Sequence, residues 1–279
     1  MRRKTIFITG ATSGIGYATV KLLASKEYRV IVHGRDETSA RESCKKIGLS
    51  DFTIPVWGDL SDLEQVRILA DQVKGITQTI DVLILSAGLF QTGNLRSKQG
   101  FELDFAVNYL AHLLLLHLLS ETLESGARVI FVSSSAYING SVDIARLGQQ
   151  HLDNPLLAYA TSKVLSLIAA LELSRRLADA EICVNACNPG VTLTKLLENG
   201  KRYGWRATGS SPIKAARLLE WLSLSPELNG ITGTYFNGRK RPNVPKRIRS
   251  KKYTSDIYEV SVDLCGIEGF PSIETSIDE

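Results

Sequence analysis

Cysteine is scarce and unpatterned in this chain: Cys44, Cys183, Cys187 and Cys265 form neither a disulfide framework nor a complete metal-ligand set. Cys183 and Cys187 are four apart, but no histidine or further cysteine lies beside them to close a tetrahedral site, so they read as core thiols. With no secretory pattern ahead of them, a reducing, cytoplasmic setting is the expectation. The basic start at Arg2 is followed by only about five apolar residues before Gly10, too few for a signal segment. Long hydrophobic runs are missing as well. The longest, 113–116 with Leu118 and Leu119 beyond His117, falls short of the roughly 20 residues that span a bilayer. Internal repeats and low-complexity segments are absent.

What is present is an alternation. Short apolar runs at 5–9, 29–33, 52–56, 81–85, 128–132, 181–186 and 233–236 read as strands. Stretches at 15–25, 37–47, 61–73 with Ser61 as N-cap, 103–121, and 155–177 opened by Pro155 read as helices. Strands and helices alternating at this spacing predict an α/β fold, a doubly wound parallel sheet with helices on both faces in a single domain. That domain is expected over residues 1–238. Beyond Gly238, the stretch 239–252, with two prolines and little apolar content, opens an extension, 239–279, with one short helix expected at 256–264. Its charges segregate: 239–252 carries only basic ones and 253–279 only acidic ones. The acidic block is expected to neutralise the basic one, which argues against nucleic acid or anionic membrane as a partner of 239–252.

The run TGATSGIG at 9–16 sits between the first strand and the first helix. Gly10 permits a tight turn, Gly14 lets backbone approach a pyrophosphate with no Cβ in the way, and Gly16 lets the helix pack close to the strand. A helix N-terminus there offers free N–H groups and a partial positive charge to phosphates. Three glycines in a turn are by themselves an ordinary device; their place after the first strand favours a dinucleotide site. Further pieces follow in order: Asp59-Leu60, Ser86-Ala87-Gly88, Asn108, the VSSS run 132–135 with Ser134, Tyr159-x-x-x-Lys163, and Pro189-Gly190-Val191 with Thr194. Each is weak alone. In this order over 4–236 they resemble the short-chain dehydrogenase/reductase family, which has a Rossmann-type sheet. The twenty-four residues between Ser134 and Tyr159, and Gly233-x-Tyr235-Phe236, are similar to the retinol-dehydrogenase and WW-domain-oxidoreductase branch.

The resemblance implies an NADP-dependent oxidoreductase that interconverts a carbonyl and an alcohol on a fairly large, lipophilic molecule. It implies Tyr159 as proton donor in reduction, Lys163 as its activator and a ribose ligand, Ser134 as the group polarising the carbonyl, and Asn108 at a helix distortion serving a proton relay. The chemistry asks for these types independently, since hydride transfer needs a matching proton. Tyr159 and Lys163 at i and i+4 share a helical face, where a cation is expected to lower a phenol from its usual pKa of about 10. The nucleotide is implied to contact Gly10, Thr12, Ser13, Gly14, Ile15, Gly16, Asp59, Leu60, Ser86, Ala87, Gly88, Asn108, Tyr159 and Lys163. Pro189, Gly190, Val191 and Thr194 are assigned to the nicotinamide end.

Cofactor choice turns on the end of the second strand. NAD-preferring relatives carry an acid there for the ribose hydroxyl, whereas here Gly34 stands at that position and Arg35 follows, which favours NADP(H) over NAD(H). Asp36 is a competitor for Arg35 or for the hydroxyl. The family's Asn-Asn-Ala-Gly turn is Leu85-Ser86-Ala87-Gly88 here, so an asparagine side chain is lost. Residues 193–207 stand where the family has a mobile lid, and mix Leu196, Leu197, Tyr203 and Trp205 with Lys201, Arg202 and Arg206. The leucine-rich face of 110–119 offers a surface for a homodimer, which the insert before Tyr159 could block. The competing reading is a nucleotide-binding regulatory protein; retention of Ser134, Tyr159, Lys163 and Asn108 together speaks for the enzyme.

Overall fold

The computed structural model describes residues 2–270 apart from 92, 94 and 150–153, so part of the insert before Tyr159 and the end of the acidic block lie outside the described residues. Seven strands form one sheet: β1 (Thr5–Ile8), β2 (Arg29–Gly34), β3 (Thr53–Trp57), β4 (Ile80–Leu85), β5 (Leu123–Val132), β6 (Cys183–Asn188) and β7 (Tyr235–Asn237). Their order is β3-β2-β1-β4-β5-β6-β7 and every pairing is parallel. The α-helices among the described residues are α1 (Gly14–Ala24), α2 (Glu37–Ile47), α3 (Leu63–Ile76), α4 (Leu103–Phe105), α5 (Ala111–Leu119), α6 (Pro155–Arg176), α7 (Lys195–Arg202), α8 (Pro212–Leu224), α9 (Lys246–Arg249) and α10 (Lys251–Cys265). The doubly wound α/β sheet expected from the sequence is the fold.

A parallel strand covered on both faces must be apolar throughout, and TIFI of β1 is buried along its whole length. Successive side chains divide between the layers. Ile6 and Ile8 pack with Val20 and Leu23 of α1 and Leu219 of α8, while Phe7 joins the opposite core with residues of α3, α5 and α6. The strand order reverses between β1 and β4, and a crevice opens beyond their carboxyl ends.

Several local boundaries move for identifiable reasons. The cap of α3 is Asp62, whose carboxylate accepts from the Glu64 N–H, rather than Ser61. Glu181 adopts φ 56°, which keeps it in the turn, so β6 starts at Cys183. Gly233 at φ 63° does the same before β7, and β5 extends back to Leu123 across an irregularity in its pairing with β4. The single helix expected over 103–121 is interrupted: a five-residue π turn, Ala106–Leu110, joins α4 to α5. By length and composition the stretches Leu103–Thr122 and Pro155–Arg176 could cross a membrane, contrary to the reading from aliphatic runs alone. Within the fold their most apolar windows are 78% and 89% buried, so they serve as core helices.

Beyond Gly238 the chain packs back onto the domain. Val244, Ile248, Ile257, Tyr258, Val262 and Cys265 join the same core as α3, α5 and α6. The helix expected at 256–264 is the longer α10, whose start is the last part of the basic block. A buried polar clasp fixes it to α6: the Glu172 carboxylate accepts from Arg176 Nε at 2.7 Å and from Thr254 Oγ1 at 2.7 Å, while Arg176 also donates to Ser255 Oγ at 3.0 Å. Leu110, the four leucines 113–116 and Leu119 are fully buried within one chain, so the face offered for pairing two copies is covered internally.

Candidate active site

The site begins where the turns after β1 and β4 meet. Gly10 has φ 64° and a Cβ there would lie 2.5 Å from Ala87 Cα; a Cβ on Gly16 would lie 2.3 Å from the Gly10 carbonyl oxygen. Both positions therefore require glycine for close backbone approach. Thr9 Oγ1 accepts the Ser86 and Ala87 N–H groups at 2.9 and 3.0 Å, and the Ser86 hydroxyl donates back to the Thr9 carbonyl. Serine in place of the family's asparagine thus still ties the two turns together. His33, buried at the end of β2, accepts the Gly10 N–H on Nδ1 at 3.1 Å and donates from Nε2 to the Gly58 carbonyl at 2.9 Å. Burial pushes its imidazole down to about 4, which keeps it neutral and fixes that tautomer.

A cleft of about 510 Å³ opens over these turns. Gly10, Thr12, Ser13, Gly14, Ile15, Gly16, Arg35, Asp59, Leu60, Ser86, Ala87 and Gly88 all line it, as expected, and Thr194 borders it from the lid side. Ser13, the N-cap of α1, makes no side-chain cap, whereas α2, α3, α6, α8 and α10 are each capped by a side chain. The first N–H groups of α1 are left to face the cleft, which fits a phosphate-bearing ligand. Asp36 does not compete for Arg35: it is the N-cap of α2, accepting the Ser39 N–H at 2.8 Å. A Cβ on Gly34 would fall 2.8 Å from both Ala40 N and Ser39 Oγ, so no acidic side chain fits at that position.

Next to the cleft lies a smaller cavity of about 120 Å³, lined by Ser134, Tyr159, Lys163, Pro189, Gly190, Val191, Thr194 and Trp205 among others. Ser134 leaves β5 as the cap of a short 3₁₀ turn, accepting the Ala136 N–H at 3.2 Å, and its hydroxyl faces the Tyr159 phenol, favouring the ionised form. Ser133, one position earlier, donates to the Lys163 carbonyl at 2.8 Å, so of the serines it is Ser134 that serves the tyrosine. Tyr159 and Lys163 share a face of α6, and Lys163 Nζ lies 5.6 Å from the phenol ring centre while donating to the Val132 carbonyl at 3.1 Å. Asn108 sits within the π turn. Its Oδ1 accepts the Leu89 N–H at 2.8 Å, and its amide donates to Leu89 O and Ser162 Oγ at 3.0 and 2.9 Å. The carbonyl of Asn108 accepts from Ser166 Oγ at 3.0 Å and from the His112 ring, which in turn meets Thr9 Oγ1 at 3.0 Å.

The expected lowering of the phenol by its neighbouring cation is not what this arrangement shows. Burial raises Tyr159 well above its ordinary value; Ser134 offsets this partly and the Asp104 carboxylate adds to it. Lys163 is itself desolvated, which pulls it down to about 8. Its Nζ donates to the Val132 carbonyl and sits beside the phenol ring rather than at its hydroxyl, and burial dominates the phenol.

Phe90, Asp104 and His112 were not anticipated at the site, whereas Tyr203 and Trp205 belong to the segment expected as the lid. Phe90 packs its ring 5.7 Å from that of Tyr159 and 5.0 Å from Trp205, and Trp205 lies 5.3 Å from Tyr159. Tyr203 adds a fourth ring 6.0 Å from Phe90. The indole rests on Gly200 of α7, where a Cβ would be 2.2 Å from the ring. Asp104 and His112 flank Asn108 at i−4 and i+4, a spacing visible in the sequence but uninformative without the π turn.

The model of the short chain dehydrogenase family matches residues 4–202. The chain belongs to that family. Human retinol dehydrogenase 13 is 31% identical over 287 residues, covering 97% of this chain and 86% of its own. Human polyprenol dehydrogenase is 29% identical over 283 residues, with 95% and 86% covered. Among solved structures, an uncharacterised protein from Mycobacterium paratuberculosis superposes with a TM-score of 0.78 at 27% identity, covering 96% of this chain and 95% of that one. The retinol dehydrogenase and the Mycobacterium protein each match almost the whole chain, including the segment beyond Gly238.

Proposed function

We propose that the protein is an NADP(H)-dependent oxidoreductase that interconverts a carbonyl and an alcohol on a large lipophilic substrate of the isoprenoid type. The observation that carries this reading is the convergence of Ser134, Tyr159 and Lys163 on one small cavity that adjoins the nucleotide cleft beneath an aromatic lid. The glycine turn and the N–H groups of α1 would hold the pyrophosphate, Asp59 and Leu60 the adenine end, Tyr159 and Lys163 the ribose, and Pro189 to Val191 with Thr194 the nicotinamide. Arg35 at the cleft, together with a Gly34 that admits no acid, supports a 2′-phosphate there. The bound cofactor supplies a hydride to the carbonyl carbon or takes one from the alcohol.

The chain's own residues handle the oxygen. Ser134 donates a hydrogen bond that polarises the carbonyl. As negative charge grows on that oxygen, Tyr159 transfers its phenolic proton to it, giving the alcohol and leaving a phenolate. The Lys163 ammonium offsets that phenolate, and Asn108 keeps the adjoining Leu89 turn in register. Trp205 on the cavity wall, with exposed Tyr203, Val191 and Leu193, gives the entrance an apolar character suited to a hydrocarbon chain. Two relatives named for retinol and polyprenol, both isoprenoid alcohols, support the same substrate class.

The test is fluorescence titration with NADPH and NADH, followed by reduction of all-trans-retinal and of short aliphatic aldehydes. NADPH is expected to bind more tightly than NADH and retinal to turn over best, with Tyr159→Phe losing about 10²- to 10⁴-fold in kcat while still binding NADPH through its remaining contacts. Tight nucleotide binding without turnover of any carbonyl would replace the enzyme reading with a regulatory one.

A further inference from the structure

Two features of the surface coincide in one stretch, residues 193–217, which holds the lid helix α7 and the start of α8. Of the eight large hydrophobics left exposed among the described residues, Leu193, Tyr203 and Ile213 fall in it, Leu193 with 55% of its surface open. The stretch also carries six basic residues against one acid, Glu198, a net charge of +5 where the whole chain has +4. The rest of the chain is therefore almost neutral, and the excess positive charge sits here.

The fold makes these residues neighbours in space as well as in sequence. Ser210 accepts the Leu193 N–H and donates its own N–H to the Val191 carbonyl, each at 2.9 Å, so the strip 191–193 lies beside the entry to α8. A Cβ on Gly209 would lie 2.8 Å from a Leu197 methyl, which presses that entry against α7 as well. Ile213 stands in the first turn of α8, and Arg217 continues its exposed face at i+4. Lys201 and Arg202 end α7, followed by Tyr203, whose ring lies 6.0 Å from that of Phe90. None of the three exposed hydrophobics lines either cavity, and of the six cations only Lys195 does, so the remainder face solvent. No acid pairs with any of the six among the described residues. Glu220, the next acid along α8, is taken by Lys26.

Unpaired cations beside exposed aliphatic and aromatic side chains match the boundary of a bilayer, where anionic headgroups meet the former and acyl chains the latter. A second copy of the same face fits poorly, since it would set like charge against like. The other basic block, 239–252, turns Val244 and Ile248 into the core and exposes no large hydrophobic.

We propose that the lid face docks on an anionic phospholipid surface, with Leu193, Tyr203 and Ile213 entering the headgroup boundary and the cations of α7 and α8 meeting the lipid headgroups. The small cavity, walled by Val191 and Trp205, then opens at the depth where a lipophilic alcohol or aldehyde resides, and substrate reaches Tyr159 without crossing water. That purpose rests on the oxidoreductase reading, whereas the docking is tested without turnover.

The full chain is sedimented with vesicles of phosphatidylcholine alone, or with about one-third phosphatidylserine, at about 0.1 M salt. It should bind the anionic vesicles only, and release them as salt rises toward about 1 M. Lys201→Gln, Arg202→Gln and Lys214→Gln combined should weaken binding about 100-fold, at about fivefold for each cation near the surface. Neutralising Arg239, Lys240 and Lys246 should leave it within about threefold of the parent protein. NADPH binding by each variant verifies that it is folded. Ile213→Trp should shift its emission to the blue on the anionic vesicles. A parent protein that binds neither vesicle, a lid variant retained like the parent, a loss that follows 239–246 instead, or an Ile213→Trp emission that stays fixed in the bound protein would each overturn the proposal. So would concentration-dependent dimers that Ile213→Ser dissolves in a protein that binds no vesicle, which would give the face to a second copy. A parent protein that binds the vesicles and NADPH but reduces no carbonyl would sink the oxidoreductase reading and leave the docking surface in place.

Discussion

Arg35 shows how one side chain can set a preference without being buried. It is exposed at the rim of the cleft, and the residue before it has no room for a carboxylate, so a ligand phosphate there meets a cation and no opposing acid. Asp36, adjacent in sequence, is withdrawn by its role as helix cap, and its carboxylate points into α2 rather than at the guanidinium. A charge-assisted hydrogen bond to an anion contributes about 1.5–3 kcal/mol, so Arg35→Ala is expected to weaken NADPH binding by about 10- to 100-fold. NADH, lacking the 2′-phosphate, should change by no more than about twofold. Paired titrations of parent and variant with both nucleotides check this; equal losses for the two would assign Arg35 to a part of the ligand they share.

At the scale of elements, the lid depends on a glycine that no turn requires. Gly200 lies within α7 and its missing Cβ is the seat of the Trp205 indole. Gly200→Ala should lift the ring away from Tyr159 and Phe90, changing the emission of one of the three tryptophans and raising the KM for retinal several-fold while NADPH affinity holds. An unaltered emission spectrum with unaltered KM would mean the indole does not form the wall of the substrate cavity. The Phe90–Trp205 contact joins the loop after β4 to the segment after α7, and periodicity along the chain carries no trace of such a pairing. The elements that were legible had local signatures: the glycine turn between strand and helix, the i, i+4 spacing of Tyr159 and Lys163, and the Pro155 start of α6. The distortion at Asn108, a π turn, was implied by the family resemblance but not by the pattern of the chain, because 106–119 is almost wholly buried and shows no polar face against which a shifted register could be read. Nor could spacing show that burial raises Tyr159, since desolvation depends on what folds over the ring from distant segments.

Three histidines tie distant elements of the fold together as neutral groups, His33 and His112 buried and His117 half-buried. His33 joins the glycine turn to β3, and His112 joins β1 to the π turn. His117 receives the C-terminal segment: its Nε2 meets the Tyr258 hydroxyl at 2.8 Å and its ring stacks on Phe270 at 3.8 Å. Burial lowers all three, to about 4, 3 and 4, from an unfolded value of about 6.5. Between those limits the unfolded chain binds protons that the folded one refuses. The stability they contribute is therefore complete above about pH 6.5 and is lost as pH falls toward 4, at about 1.4 kcal/mol per pH unit for each fully developed site. Asp104, pushed up to about 8 in the fold, and Glu102, also raised, hold protons there that the unfolded chain gives up, and so oppose the histidines across this window. Three lowered histidines against two raised acids make acid destabilisation the net expectation, and a variant isolates a single site. Urea unfolding at steps from pH 7 to 4.5 should show a midpoint that falls with acid in the parent protein and falls less steeply in His117→Gln. Because His117 holds the clasp of α10 rather than the nucleotide cleft, that variant should still bind NADPH at pH 7 like the parent; a loss of binding there would mean that the C-terminal segment is coupled to the cleft through α5 and the π turn that carries Asn108.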